Sequence, residues 1–97
     1  MASSKEFLLF VLDQLSGLEE ITYRPMMGEY LLYHRGKLVG GIYDDRLLVK
    51  PFGAALALLP EAPRALPYPG AKEMIWVQNL DDREGLCALF RAMVPDR

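Results

Sequence analysis

Residues 24–50 read RPMMGEYLLYHRGKLVGGIYDDRLLVK, and they carry the clearest fold information in the chain. Short runs rich in leucine, valine and tyrosine alternate there with turn residues. This pattern predicts four strands, at 22–27, 29–34, 38–43 and 46–49. Connections of two or three residues are too short for a parallel crossover, so we expect an antiparallel meander.

Glycines and aspartates mark the bends of this meander. At Arg35-Gly36 we expect only the glycine to adopt a positive φ, with an adjacent bulge, because arginine disfavours the first central position of a type I′ turn. Asp44-Asp45 supplies the next reversal, since aspartate side chains bond nearby backbone amides. Gly40-Gly41 lies inside the third strand and predicts either a bulge or close packing against the sheet.

A helix is predicted before the meander. Ser3 and Glu6 form a capping-box pattern, and apolar residues then recur at helical spacing, which indicates a helix over 4–16. Gly17 suits the left-handed residue that commonly follows a helix.

The part that follows the meander is less regular. Five of the seven prolines lie there, and a short helix over 52–59 is expected to end at Pro60. Residues 73–78 alternate in polarity and predict a fifth strand. Asp81 and Glu84 then form a second capping box at the start of a C-terminal helix.

These elements predict an α+β domain in the order α-β-β-β-β-α-β-α. An antiparallel sheet of about five strands would be packed by the N- and C-terminal helices. The 97 residues, 52% hydrophobic and 25% charged, are expected to form a single domain over 1–97. A core this small and an exposed sheet edge also predict a homodimer.

Charge and hydropathy exclude several classes of protein. A net charge of −2 disfavours direct nucleic-acid binding, because phosphate neutralisation usually requires a basic face. No apolar run approaches the roughly 20 residues of a membrane span, so no membrane association is expected. The N-terminus shows no signal-peptide pattern, which predicts a cytoplasmic location.

Few side chains are suited to catalysis. His34 is the only histidine and Cys87 the only cysteine, which excludes histidine-rich and cysteine-based metal sites. We expect a solvent-facing imidazole at a hairpin end for His34 and a buried thiol for Cys87. Turns, a solvated face and helix capping explain the adjacent carboxylates. A non-enzymatic protein with no catalytic residue, cofactor or metal site is therefore predicted.

Three groups of residues have a second interpretation as contact surfaces. Met26 and Met27 fit either the core or an adaptable partner site. Arg24, Lys37 and Lys50 fit either solvated edge guards or an anion-binding edge. Several aromatic residues fit either sheet packing or a stacking surface for nucleotides, and the absence of a basic surplus favours packing. These aromatic residues are Tyr30, Tyr33, Tyr43 and Trp76.

Three segments of the meander occur in the order known from one family. They are Arg24-Pro25-Met26-Met27-Gly28, Tyr33-His34-Arg35-Gly36-Lys37 and the run from Ile42 to Lys50. Together they resemble the N-terminal domain of the TfoX/Sxy bacterial competence regulators, which carries an Arg-x-Met-Phe-Gly-like start, a central Gly-Lys turn and an Asp-Arg-Leu-x-x-Lys-like ending. The chain has Met27 where that family commonly has phenylalanine, and Glu29 where it commonly has a second glycine.

The resemblance implies a TfoX N-terminal-like domain that acts through protein contacts. The expected partner is the transcription machinery, and the expected process is transcriptional or competence regulation. The motif positions carried over as partner contacts are Arg24, Met26, Met27, Gly28, Gly36, Lys37 and Lys50.

Two alternatives stay open. The first is a small-molecule-binding domain or unrecognised enzyme, with a pocket between the sheet and the proline-rich segment lined by Lys50, Tyr68 and Trp76. The second and weaker one is direct DNA binding.

Overall fold

The computed structural model describes residues 3–95. The helices are α1 (Lys5–Gln14), α2 (Gly53–Leu58) and α3 (Arg83–Met93). The strands are β1 (Ile21–Met26), β2 (Glu29–His34), β3 (Lys37–Ile42), β4 (Leu47–Val49), β5 (Arg64–Ala65) and β6 (Met74–Trp76). The α+β class and the flanking helices are confirmed.

The strands form one six-stranded antiparallel sheet in the spatial order β1-β2-β3-β4-β6-β5. The first four follow chain order, as expected for a meander. The strand that was not predicted is β5, whose two residues lie in the proline-rich segment and pair with β6. Two residues are too few to show a period in the sequence.

The three hairpins of the meander share one turn geometry. Both loop residues have positive φ in Met27-Gly28 (53° and 86°), Arg35-Gly36 (56° and 81°) and Asp44-Asp45 (54° and 56°). Positive φ at both positions defines the type I′ turn, whose twist matches that of the flanking strands. The expectation for Arg35 is therefore wrong. Only two residues connect the paired His34 and Lys37, so the turn requires Arg35 to adopt the left-handed conformation.

A bulge does occur in this hairpin, at Val39. Leu32 pairs with Gly40 and Tyr33 pairs with Leu38, which leaves Val39 as the extra residue of β3. The bulge lies away from the turn and beside the two glycines.

Gly40 and Gly41 also lie where neighbouring backbone approaches closely. A Cβ on Gly40 would overlap the Leu48 carbonyl and lie 2.8 Å from the Val49 Cα. A Cβ on Gly41 would lie 2.6 Å from the Tyr30 carbonyl oxygen. Of the two alternatives predicted for this glycine pair, the structure shows close packing at the glycines themselves, while the bulge lies beside them at Val39.

Each terminal helix is capped one residue later than its sequence pattern predicts. Ser4 rather than Ser3 caps α1, and its hydroxyl accepts the N–H three residues later at 3.1 Å. Asp82 rather than Asp81 caps α3, and its carboxylate accepts the N–H three residues later at 3.0 Å. Ser3 is instead buried and bonds elsewhere, so it is not available as the cap.

The end of α1 also differs from the prediction. The helix ends at Gln14, and Gly17 does not adopt a positive φ. Instead the last turn tightens, with the Leu15 N–H shared between the carbonyls of Val11 and Leu12. A Cβ on Gly17 would lie 3.7 Å from the Cys87 Sγ, so this glycine lies close to α3.

The terminal helices pack on one face of the sheet. Fully or almost fully buried side chains from α1, α3 and the strands meet there, including Leu8, Val11, Leu15, Leu32, Ile42, Leu47, Val49, Ile75 and Phe90. On the opposite face, Leu48 is buried at the centre, and the proline-rich segment (residues 60–73) runs nearby. Among the described helices, none is long and apolar enough to cross a membrane.

Candidate functional site

The sheet separates the motif residues into two groups. Met26, Met27 and Gly28 lie at the turn between β1 and β2, whereas Gly36 and Lys37 lie at the turn between β2 and β3. These turns are at opposite ends of β2, and a strand of this length spans about 20 Å. The motif therefore does not form one continuous site.

Arg24 belongs to neither group. It is exposed in the middle of β1 and pairs with Leu31, which in turn pairs with Gly41. Directly paired residues share a face, and Gly41 pairs with the outer-face residue Leu48, so Arg24 lies on the face away from the helices.

Met27 is the most exposed large apolar side chain among the described residues. Its exposed fraction is 96%, and its φ is 53°. A methionine in the left-handed region is strained, and full exposure gains no hydrophobic stabilisation in return. Met27 is therefore not a core residue, whereas its neighbour Met26 is half-buried. Of the two methionines, Met27 is thus fully exposed and Met26 is partly buried.

Glu29 holds this turn against the start of α1. Its Oε1 accepts the Ser3 hydroxyl at 2.5 Å and the Asp44 N–H at 3.1 Å. The Ser3 N–H donates to the Gly28 carbonyl at 3.0 Å, and the Ser3 Oγ accepts the Asp45 N–H at 3.1 Å. These bonds join the first and third hairpin turns, so the backbone beneath Met27 is held in place.

The contacts of Glu29 are not evident in the sequence. There this residue stands out only as a departure from the family pattern, at a position where a second glycine is common. No local signal reveals them, because the burial of the Ser3 hydroxyl, which requires a hydrogen-bond partner, results from the tertiary fold.

The other group of motif residues lies around Phe52. The Lys37 Nζ lies 5.1 Å and the Lys50 Nζ 5.8 Å from the centroid of this ring. Such cation–π contacts at partly exposed sites are weak, about 0.5–1 kcal/mol. Neither lysine forms an ion pair with any of residues 3–95. The turn glycine Gly36 directly precedes Lys37, and both ammonium groups lie near the ring of Phe52.

A groove of about 460 Å³ lies between the sheet and the proline-rich segment. Lys50 and Tyr68 line it, as predicted for the alternative pocket. Trp76 does not line it, and that prediction is wrong. The Trp76 ring lies 5.6 Å from the Arg46 guanidinium carbon instead. The backbone N–H of Trp76 donates to the Pro63 carbonyl.

A tyrosine pair forms part of the groove wall. The rings of Tyr43 and Tyr68 have centroids 6.5 Å apart. Burial, with smaller contributions from Tyr68, Glu29 and Tyr33, raises the pKa of the Tyr43 phenol above its ordinary value of 10.0. The Tyr43 hydroxyl therefore stays protonated at neutral pH and offers a donor rather than a charge.

The side chains with the greatest reactive potential serve the fold. His34 is only 3% exposed, and its Nδ1 bonds to the Phe90 carbonyl oxygen at 3.2 Å. The expected solvent-facing imidazole is therefore wrong, because α3 packs over this end of β2. Cys87 is buried as predicted, with its Sγ 3.6 Å from the Gln14 carbonyl oxygen.

The adjacent carboxylates bond to backbone amides. Asp44-Asp45 forms a turn, with the Asp45 carboxylate accepting the Ser4 N–H at 2.8 Å, and Asp82 caps a helix. Within residues 3–95, no group of three or more histidine, cysteine, aspartate or glutamate residues could hold a metal ion.

Comparison with known proteins connects this geometry to a family. The family model of the TfoX N-terminal domain matches residues 13–92. A Spirochaeta aurantia protein described as "Uncharacterized 12.7 kDa protein in trpE 5'region" is 38% identical over 79 residues, which cover 81% of this chain and 68% of that relative. No solved structure matches significantly. The matched region contains the whole meander and both groups of motif residues, and the chain belongs to the TfoX N-terminal domain family.

Proposed function

We propose that this chain is a non-enzymatic domain that acts through protein contacts in the cytoplasm, with a protein of the transcription machinery as its partner. Membership of the TfoX N-terminal domain family supports a regulatory role. The burial of His34 and Cys87, each engaged with a backbone carbonyl, favours a contact function over catalysis.

The observation that carries this proposal is the presentation of Met27. Met27 combines a strained backbone conformation with a fully exposed side chain. The backbone strain alone costs the free domain about 1 kcal/mol. Strained residues held by their surroundings cluster at functional sites, and methionine adapts to irregular apolar surfaces. The contacts of Glu29 with Ser3 and Asp44 hold the turn from below, so Met27 is presented to a partner in a defined position.

Affinity capture with one substitution tests this proposal. We expect the tagged wild-type chain to retain a specific transcription protein from cytoplasmic extract, and the Met27→Asn variant to lose it. Asparagine tolerates the left-handed conformation, so the turn stays intact while the thioether is removed. Leu9→Gln is the matched control, because Leu9 is also exposed, at 53%, but lies on α1.

The purified partner is then titrated against the three chains. Binding by wild type and Leu9→Gln, with loss of at least about tenfold in affinity for Met27→Asn, is the expected result for an anchor residue. Equal binding by all three chains, or no specific partner under conditions that preserve the fold, would reject the proposed contact.

The homodimer is a separate proposal, for which the sheet edge is an unfavourable surface. In an antiparallel pair, successive residues alternate between bonding to the partner strand and facing away from it. The pair Met26–Glu29 closes the turn, so the backbone of Arg24 bonds to β2 and that of Pro25 faces the open edge of β1. Proline has no N–H to donate, and the opposite edge strand has two residues. We therefore expect any dimer to use a sheet face, and a monomer mass at micromolar concentration would reject it.

The second candidate function is small-molecule binding in the groove that contains Lys50 and Tyr68. The specific observation in its favour is a cleft of about 460 Å³ with both aromatic and cationic lining. Ligand pockets commonly have volumes of about 300–1,000 Å³. A metabolite that binds the folded state must raise thermal stability, so a broad panel without any stabilising compound would reject this candidate.

A further inference from the structure

We propose that the groove between β3 and the proline-rich segment is a binding site for a small organic anion with a flat apolar body. The inference rests on the second candidate function and specifies its ligand class. It is independent of the protein contact proposed for Met27, which lies at the turn between β1 and β2.

The shape of the groove fits a flat body. Leu38 and Gly40 from β3 and Met74 from β6 line one part, while Tyr43 and Tyr68 provide aromatic surface. The two rings are inclined by 57° with centroids 6.5 Å apart, so they do not stack on each other. The Tyr68 side chain is 55% exposed. An aromatic ligand can therefore pack against the exposed ring of Tyr68.

The charge of the groove favours an anion. Lys50 and Lys72 line it together with a single carboxylate, Glu73. Neither lysine forms an ion pair with any residue of the described range 3–95. Two lysines against one carboxylate give this lining a net positive charge. An anionic ligand would add a charged partner that the weak contact of Lys50 with the Phe52 ring does not supply.

The neighbouring surface has the opposite charge balance, which determines how an anionic ligand would be oriented in the groove. A second cleft shares Pro67 and Tyr68 with the groove but is lined by Glu29 and Asp44. Its one cation, Arg46, already donates to the carbonyls of Tyr43 and Leu66. An anionic group is therefore expected on the lysine side of Tyr68 and disfavoured on the carboxylate side.

Matched fluorescent probes test both the charge and the position. Anilinonaphthalene sulfonate supplies a flat aromatic body with an anionic group, and phenylnaphthylamine supplies a similar body without charge. Each is titrated against wild type, Lys50→Gln, Lys72→Gln and Tyr68→Ala. Lys5→Gln is the control, because it removes the same charge from the exposed start of α1. Chemical-shift changes in the NMR spectrum of each chain report the fold and locate the probe.

We expect the sulfonate to bind wild type and Lys5→Gln equally, and each groove lysine variant about fivefold more weakly, the scale of one lost partly exposed charge contact. Tyr68→Ala should weaken both probes. The largest shift changes should fall on Leu38, Tyr68 and Met74. Because Lys72 is exposed, its variant keeps the test valid if Lys50→Gln perturbs the fold.

Four results would overturn the inference, and they separate it from the function on which it rests. Equal sulfonate affinity in all lysine variants, or equal affinity of wild type for both probes, would reject the anion while leaving a neutral-ligand groove. Shift changes that map outside the groove, or no binding of either probe, would reject the site together with the second candidate function.

Discussion

The Ser3 hydroxyl donates a 2.5 Å hydrogen bond to the carboxylate of Glu29, a residue 26 positions later in the chain. This bond connects the segment before α1 to the first hairpin. The same carboxylate oxygen accepts the N–H of Asp44, so one side chain joins three separate parts of the fold. The end of the sheet that presents Met27 is therefore held by tertiary contacts rather than by the turn alone.

Removal of this carboxylate should destabilise the domain. We expect Glu29→Ala to lower the free energy of unfolding by about 1–2 kcal/mol, because the Ser3 hydroxyl and the Asp44 N–H lose their acceptor. Glu29→Gln keeps one acceptor oxygen and should have a smaller effect. Urea denaturation measures both, with Glu61→Ala as the exposed control. A loss in Glu29→Ala no larger than in the control would contradict the role given to this residue.

Met27→Asn should stabilise the isolated domain while it abolishes the proposed contact. The side chain is 96% exposed, so little burial is lost, and asparagine adopts a positive φ more readily than methionine. The expected gain in the free energy of unfolding is about 0.5–1 kcal/mol. Met26→Asn, at a half-buried strand position, should instead destabilise. If urea denaturation shows that Met27→Asn is less stable than wild type, the thioether stabilises the free domain, and its exposure is no argument for a partner contact.

Gly40→Ala should be strongly destabilising. Its Cβ would lie 2.8 Å from the Val49 Cα and overlap the Leu48 carbonyl, and backbone atoms of a paired strand cannot move aside cheaply. We expect a loss of at least about 2 kcal/mol in the free energy of unfolding. Gly53→Ala, where no atom lies within 4 Å, is the matched control and should be neutral or slightly stabilising. Similar stability of the two variants would show that β3 and β4 are farther apart than described.

The raised pKa of Tyr43 predicts a pH dependence of stability in the alkaline range. Burial disfavours the phenolate, so the folded chain holds the proton more tightly than the unfolded chain. The resulting stabilisation is complete below the unfolded pKa of about 10 and is lost as the pH rises through the higher folded pKa. Between about pH 9 and pH 11, wild type should therefore lose more free energy of unfolding than Tyr43→Phe.

Comparison of the two chains isolates this effect, because the other tyrosines and the lysines titrate in both. The measurement is urea denaturation at a series of pH values. Parallel stability curves for wild type and Tyr43→Phe would show that the Tyr43 hydroxyl is as well solvated in the folded as in the unfolded chain.

Features set by neighbouring residues could be predicted well. The meander, the helix 52–59 and the terminal helices all follow from local period and turn chemistry, and the structure confirms them. Errors of one or two residues arose where two local signals competed. Ser3 and Ser4 are both good caps, and only the contact of Ser3 with Glu29 leaves Ser4 to start the helix.

Features that depend on distant residues could not be predicted. His34 looks like an exposed turn residue until α3 supplies the Phe90 carbonyl beside it. Trp76 is close in sequence to the proline-rich segment, but its position in β6, two residues beyond the groove residue Met74, places it beside Arg46 rather than in the groove. The convergence of Lys37 and Lys50 on Phe52 likewise requires that the start of β3 and the end of β4 meet.

Residue order and short-range conformational preference were enough to specify the element types, the antiparallel meander and the family. The division of the motif between two ends of the sheet, the exposure of Met27 and the groove shared by Lys50 and Lys72 become evident only in the folded chain. The physical reason is that strand register and helix packing set these distances, and both result from burial of the whole core rather than from any one segment.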